Sequence, residues 1–286
     1  MKKVLAAALL CAVSSFAAWD LFPVKEAGKG EAKLGVQYNI NDPLKEFSSL
    51  GINLGARYSV IEGLEIAILL NKAPGGFVVM RSVPDAPAIT IPTVPGMPAV
   101  PAVPTAGSVG KDAKGLNQPI IGLRYWLPMG LGIFADVGLP LGSENLVSKE
   151  PDLDLSAGVQ YSTKFNEQLS IGSEISFNKT FSDPSTGADL GVAVEVDYSL
   201  GGITPWVSVD FAKGIIAGED IKSPLPGVPD IKQDPAPAGI GLALGVIYDI
   251  SESLYVDASV WLGVAGDRYD VGAMPITISA DVGFNF

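Results

Sequence analysis

The feature that most constrains this chain is a strict alternation of apolar and polar residues that recurs along most of its length. The last eleven residues, ITISADVGFNF, show it clearly, because every second residue from Ile276 to Phe286 is apolar and those between are polar or small. Period-two alternation is the pattern of a β-strand with one apolar face. Twelve segments carry it, at 33–40, 50–58, 64–70, 121–125, 131–139, 153–161, 169–177, 190–198, 203–211, 240–248, 254–262 and 276–286.

The lengths of the segments and of their connections predict how the strands are arranged. Most of the twelve segments are nine to eleven residues long. Strands of soluble domains cluster near five or six residues, whereas about nine to eleven residues of a tilted strand cross a bilayer. Short turns at 61–63, 128–130, 164–168, 200–202 and 250–253 alternate with longer links at 41–48, 73–116, 142–151, 178–187, 212–238 and 263–274. This alternation is typical of an even-stranded membrane barrel. The predicted fold is an all-β, 12-stranded, antiparallel up-and-down transmembrane β-barrel, and a soluble sandwich is the alternative.

Aromatic residues on the apolar face agree with a barrel. Five tyrosines come shortly before a short turn, so an up-and-down barrel would place them at one height together with two phenylalanines of the last strand. Aromatic rings are favoured at membrane interfaces. The predicted girdle at the periplasmic interface is Tyr58, Tyr125, Tyr161, Tyr198, Tyr248, Phe284 and Phe286. Lipid offers no hydrogen-bond partners, so every backbone N–H and C=O group within the membrane must pair inside the sheet. The sheet must therefore close, and the last strand must pair with the first, at 33–40.

The N-terminal residues predict export. Lys2 and Lys3 precede an apolar run and then a stretch of small residues, which together have the form of a secretory signal peptide cleaved after Ala17. Residues 1–17 would then be the signal, 18–30 a periplasmic leader and 31–286 the transmembrane barrel. The leader either plugs the lumen or stays loose, and the loose arrangement is favoured. The only cysteine, Cys11, lies in the signal, so no disulfide is expected.

The signal, the strand pattern and the terminal strand ending in VGFNF resemble bacterial outer-membrane β-barrel proteins over residues 31–286. The stretches LGARYSVIEGLEI and IGLRYWLPMGLGIFADVGLPLGS also resemble the 12-stranded barrels regarded as phenol-degradation-type transporters. The resemblance implies a place in the outer membrane of a Gram-negative bacterium, in contact with its lipid. It also implies that the barrel-assembly machinery reads the C-terminal strand.

If the apolar face meets lipid, the polar face lines the lumen. Three bases, Lys33, Arg57 and Arg124, stand there against ten acids, namely Glu65, Asp136, Asp154, Glu174, Asp189, Glu195, Asp197, Asp210, Asp257 and Asp281. The residues expected to set selectivity are Asp136, Glu174, Glu195, Asp281, Arg57, Glu65 and Arg124. Arg57 and Glu65 are expected to pair across the turn at 61–63. Inward glycines, among them Gly158, Gly172, Gly241 and Gly245, predict space for a narrow, water-filled, acidic passage.

Two of the long links are rich in proline. The link at 73–116 carries seven prolines between Pro84 and Pro104, which exclude a central strand and suit polyproline II. The link at 212–238 is a shorter version of the same composition. Such extracellular loops either fold over the pore mouth, contact a partner, or are surface insertions.

The residue content excludes most enzyme classes. The chain has no histidine, so a Ser–His or Asp–His site is impossible, and it carries no GxSxG, P-loop or dinucleotide motif. The net charge of −12 makes nucleic acid a poor partner, and without histidine or a cysteine in the mature chain no zinc site is expected. No cofactor is expected, and calcium at loop carboxylates such as Asp267 and Asp270 is the one metal left open. The predicted function is an outer-membrane channel that passes small solutes, cations or neutral molecules, through a narrow acidic lumen. The alternative is a structural or adhesive barrel with a closed lumen that acts through its Pro-rich loops; the oligomeric state is left open.

Overall fold

The computed structural model describes residues 21–42, 47–70, 77–82, 114–143, 153–181, 187–220, 230, 232–268 and 275–286. Within these residues the chain forms strands and no helix. The strands are β1 (Gly30–Asp42), β2 (Phe47–Ile61), β3 (Leu64–Leu70), β4 (Phe77–Ser82), β5 (Gly115–Leu116), β6 (Ile120–Trp126), β7 (Leu131–Gly138), β8 (Leu153–Lys164), β9 (Leu169–Phe181), β10 (Ala188–Tyr198), β11 (Ile203–Ile216), β12 (Gly239–Asp249), β13 (Leu254–Ala265) and β14 (Ile276–Asn285). In the described part of the chain, no helix has the length and apolar character needed to span a membrane.

The strands form one antiparallel sheet that closes on itself. β14 pairs with β1 from Glu31 opposite Asn285 to Ile40 opposite Ile276, and β1 also pairs with β2. The predicted seal between the last strand and the first is therefore confirmed. Closure matters physically because a closed sheet leaves no strand edge with unpaired backbone groups.

Two of the twelve barrel strands are each built from two segments. β3 and β4 both pair with β2, β3 along residues 54–61 and β4 along residues 48–52. β5 pairs with β4, and β6 pairs with β3. The barrel is therefore twelve-stranded, as predicted, with β3 and β4 as its third strand and β5 and β6 as its fourth.

Some predicted links were drawn too wide. The link at 73–116 contains β4 and β5, because the sequence NKAPGG at 71–76 interrupts the alternation and hides its continuation. β9 and β11 likewise run on into the links predicted at 178–187 and 212–238. The prolines from Pro84 to Pro104 lie outside the described residues, so the path of the Pro-rich loop stays a prediction.

The two faces of the wall differ sharply. Large apolar side chains such as Leu34 and Ile133 are more than half exposed on the outside, at 57% and 53%. Polar side chains such as Gln37, Glu65 and Arg124 are buried inside. An apolar outer surface around a polar interior is the arrangement of a membrane-spanning barrel.

The short turns gather at one end of the barrel, here called the turn end; the opposite end is the loop end. Gly63 and Gly130 sit in two of these turns at φ of 79° and 80°, where a side chain would be strained. Their carbonyl groups accept hydrogen bonds from the backbone N–H of Trp126 and Ser162 on the following strands, at 2.7 and 2.9 Å. Glycine at these two positions thus lets each turn pack tightly against the next strand.

Candidate functional site

The segment that precedes β1 enters the lumen near the turn end and crosses it. Leu21 is 5% exposed and packs against Gly172 of β9. Lys25 donates a hydrogen bond of 2.8 Å from Nζ to Oδ1 of Asn285 and lies 3.2 Å from Oε2 of Glu31. In the strand order β9 is six steps from β1 in either direction, so it lies on the opposite wall. Residues 21–25, here called the strap, therefore bridge the lumen from wall to wall.

The strap answers a question that the sequence left open. A loose leader was favoured over a lumen plug, yet residues 21–25 of that segment are held inside the barrel by contacts at Leu21 and Lys25. The physical reason is that Leu21 packs on the inward-facing Gly172, and Lys25 forms an ion pair with the buried carboxylate of Glu31. Residues 18–20 and the predicted signal at 1–17 lie outside the described residues.

Glu31 lies next to Lys25, at the end of the strap that leads into β1, and is surrounded by basic side chains. Its carboxylate accepts hydrogen bonds from Nε and Nη2 of Arg57, at 2.8 and 2.5 Å, and from the hydroxyl of Tyr255. Lys25 and Lys33 lie 3.2 and 3.8 Å away. Because Glu31 is only 2% exposed, it needs such partners to stay charged. Sequence reasoning missed it because the first alternating segment was started at Lys33, although Glu31 shares the parity of that inward face.

A cavity of about 530 Å³ lies beside the strap in the turn-end half of the lumen. Among the described residues, the bases that line it are Lys25, Lys33 and Arg57, all gathered around Glu31. Its other acids stand on β10, β12, β13 and β14 and are Glu195, Asp197, Asp249, Asp257 and Asp281. One part of the cavity wall is thus strongly acidic, while the bases are concentrated around Glu31.

The seven predicted lumen residues separate into two groups. Three of them line this cavity: Glu195, Asp281 and Arg57. The other four do not line it and are at most 5% exposed: Asp136, Glu174, Glu65 and Arg124. The sequence placed all seven on the inner face but could not tell these two groups apart.

The second group belongs to a packed polar layer on the wall from β2 to β9. Nη1 of Arg57 lies 3.7 Å from Oε1 of Glu65, so the ion pair expected across the turn is present. Gln160 donates a hydrogen bond of 2.8 Å from Nε2 to Oε2 of Glu174. The register places Arg124 directly beside Glu65. This side of the interior is therefore occupied by its own side chains.

Inward glycines are covered by larger side chains, mostly from neighbouring strands. Added side-chain atoms at these glycines would overlap a ring in five pairs: Trp206 with Gly245, Trp261 with Gly241, Tyr255 with Gly283, Phe134 with Gly158, and Trp126 with Gly132. At Gly172 the covering side chain is Leu21 of the strap. The prediction that Gly158, Gly172, Gly241 and Gly245 leave open space was wrong, because each glycine makes room for a side chain that packs along the wall.

Two of these indole rings cross β12 in matching ways. Trp206 on β11 donates from Nε1 to Oδ1 of Asp257 on β13, at 3.4 Å. Trp261 on β13 donates from Nε1 to Oδ1 of Asp210 on β11, at 2.7 Å. The first pair lines the cavity and the second does not. Sequence reasoning overlooked both tryptophans because it searched for aromatic residues on the outer face; their inward parity, opposite a strand rich in glycine, was the available signal.

At the loop end, Arg268 reaches inward from the segment that follows β13. Its Nη2 lies 2.6 Å from Oδ2 of Asp189 on β10, and its backbone N–H donates to the carbonyl of Ala238 at 3.0 Å. Arg268 is 7% exposed. Residues 266–268 are therefore held across the wall at the loop end, where the sequence had assigned Asp189 only a general inward position.

The seven predicted girdle residues lie on the outer face close to the turn end. Each is between 41% and 52% exposed: Tyr58, Tyr125, Tyr161, Tyr198, Tyr248, Phe284 and Phe286. The backbone of Phe286 exchanges two hydrogen bonds with that of Gly30, at 2.8 and 3.1 Å. The last residue is thus fixed in the sheet rather than frayed.

No protein-family model and no curated protein sequence matches the chain. Among solved structures it is similar to the COG4313 outer membrane channel from Pseudomonas putida F1, with 10% identity, a TM-score of 0.62, and coverage of 93% of this chain and 98% of that one. It is also similar to the NanC porin, with 9% identity, a TM-score of 0.50, and coverage of 88% and 98%. Likeness at such low identity concerns the fold. This chain has the closed, all-antiparallel, twelve-stranded barrel fold of bacterial outer-membrane channels.

Proposed function

We propose that this protein is a channel of the bacterial outer membrane, without enzymatic activity, that passes small solutes through an acidic lumen. The observation that carries the proposal is the cavity beside the strap, where six acids and three bases of the described part of the chain line a space of about 530 Å³. A route through such a space selects solutes by size and charge. The fold shared with known channels supports this function.

A preference for cations follows from where the charges stand. The three bases of the cavity gather around Glu31, which offsets part of their charge. Glu195, Asp197 and Asp281 stand on other strands of the wall. Charges interact more strongly in a confined, low-dielectric lumen than in bulk water, and rings of acids favour cations. A small cation would therefore be stabilised beside this acidic wall, whereas an anion would be repelled.

The outer face fits the same proposal. The girdle from Tyr58 to Phe286 would lie at the periplasmic interface, which makes the turn end periplasmic and the loop end extracellular. Outer-membrane lipid would then contact the apolar belt between the two ends. The terminal strand, β14, would be the segment that the barrel-assembly machinery recognises.

A structural or adhesive barrel with a closed lumen is the second candidate. It is favoured by the strap at the turn end and by the buried Arg268 at the loop end, because both narrow the lumen. In that case the Pro-rich loop at 73–116 would be the acting part.

Recording from planar bilayers separates the two candidates. We expect purified protein to give discrete current steps when it inserts. Inserted, folded barrels that carry no current would refute the channel and support the structural barrel. Folding can be checked independently by the lower gel mobility of the heated sample compared with the unheated one.

A further inference from the structure

We propose that the cavity wall around Trp206, Tyr255 and Asp257 is a binding site for small organic cations, meaning amines or quaternary ammonium compounds with an apolar body. This inference rests on the proposed channel function and names the solute class that the lumen takes. It starts from the cavity itself, whose volume of about 530 Å³ falls in the usual range for small-molecule sites, roughly 300–1,000 Å³.

The aromatic rings of the cavity supply the first part of the site. Trp206 and Tyr255 line it from the wall, and Phe22 lines it from the strap. The face of an aromatic ring attracts a cation, and tryptophan does so most strongly. The protein already shows this interaction, because Nζ of Lys33 lies 5.5 Å from the centre of the Tyr255 ring. An ammonium group is thus already held over one of the cavity's rings.

The carboxylates supply the second part. Asp257 and Asp281 stand directly opposite each other in the register of β13 and β14, where like charges repel. Asp197 stands opposite Trp206 in the register of β10 and β11, and Asp257 accepts the indole hydrogen bond from the other side. The Trp206 ring therefore lies between two carboxylates. A cation at this ring would be attracted both by the face of the ring and by the carboxylates on either side of it. It would also reduce the repulsion between Asp257 and Asp281.

The same residues favour an organic cation over a metal ion. Calcium and magnesium need several converging oxygen ligands at about 2.0–2.6 Å. Among the described residues, no group of three or more acids, cysteines or histidines is arranged to hold a metal ion. The acids of the cavity are instead spread along the wall and interleaved with rings, which suits a cation whose charge is diffuse and whose body is apolar.

The test uses the purified full barrel in planar bilayers bathed in potassium chloride. Benzyltrimethylammonium is the probe, and benzyl alcohol is its neutral counterpart with the same ring. We expect the cation to interrupt the current in a concentration-dependent way and the alcohol to leave it unchanged. Trp206→Leu should weaken the apparent affinity for the cation about fivefold, and Trp206→Phe, which keeps a ring, by less. Asp257→Asn, which preserves the shape of the side chain, should weaken it by a similar factor.

The second indole–carboxylate pair across β12 provides matched controls. Trp261→Leu and Asp210→Asn remove the same groups from outside the cavity and should leave the affinity unchanged. The inference is overturned if the alcohol blocks as well as the cation, or if the control variants lower the affinity as much as the cavity variants do. A wild-type barrel that carries no current, or that prefers anions, would instead overturn the proposed function. Cation-selective current without block by the probe would overturn only the present inference.

Discussion

Loosening the strap should enlarge the pore, and the contacts at its two ends set how much. Lys25 is held by a hydrogen bond of 2.8 Å to Asn285 and by Glu31 at 3.2 Å, and it is partly exposed. Its replacement by alanine should cost the docked strap about 1–2 kcal/mol. Leu21 buries its side chain against Gly172, and Leu21→Ala should cost about 2 kcal/mol. At about 1.4 kcal/mol for each factor of ten, either change should raise the ratio of released to docked strap roughly tenfold.

The two contacts lie on opposite walls, so their effects should add, and the double variant should show roughly a hundredfold increase. In single-channel recordings this appears as a larger conductance level that is rare in the wild type, more frequent in each single variant and dominant or nearly so in the double variant. Lys29→Ala is the matched control, because the side chain of Lys29 is exposed and its backbone, which bonds to Glu26 and to Ser59 of β2, is kept in the variant. A double variant with the wild-type current trace would refute the idea that the strap obstructs the lumen.

Three further outcomes follow from the wall and its ends. Gly283→Val places a branched side chain where the Tyr255 ring lies, so it should lower the free energy of unfolding by about 2 kcal/mol or more. Ala280→Val, on the exposed outer face, should leave the free energy of unfolding unchanged. Urea unfolding in detergent measures both variants. Asp189→Asn removes the charge that holds Arg268, so current fluctuations from the loop end should become more frequent. Exchanging the two charges, D189R with R268D, should restore a quiet trace. Identical traces from the wild type, the single variant and the exchanged variant would contradict this. Deleting Phe286 removes two backbone hydrogen bonds to Gly30, so it should lower the amount of folded barrel in the membrane while the conductance of each assembled barrel stays the same; Phe165→Ser, at an exposed turn, is the control.

Most of the wall could be predicted from the sequence because the side of a strand on which a residue lies depends only on local parity. The alternation from Ile276 to Phe286 predicted the twelfth strand, and the need to close a sheet in lipid predicted its pairing with β1. Prediction failed where the local pattern breaks. At NKAPGG the alternation is lost, and the return of the strand at Phe77–Ser82 could be recognised only from its pairing with β2.

The lumen was less predictable because its contacts join residues that are far apart in sequence. Parity placed Asp136 and Asp281 on the same inner face, yet only Asp281 lines the cavity. The bond between Tyr255 and Glu31 spans 224 residues, and that between Lys25 and Asn285 spans 260. Such contacts depend on the closed strand order and on the path of the strap, neither of which can be read from alternation.

The most direct test of an acidic, cation-preferring lumen is the reversal potential of the wild-type barrel in a gradient of potassium chloride. The charges on Glu195, Asp257 and Asp281 predict a potential of the sign that marks cation selectivity. The triple variant E195Q, D257N and D281N should move it toward zero or beyond while current steps persist. Anion selectivity in the wild type, or a potential that the triple variant leaves unchanged, would contradict the claim that these carboxylates select the solute.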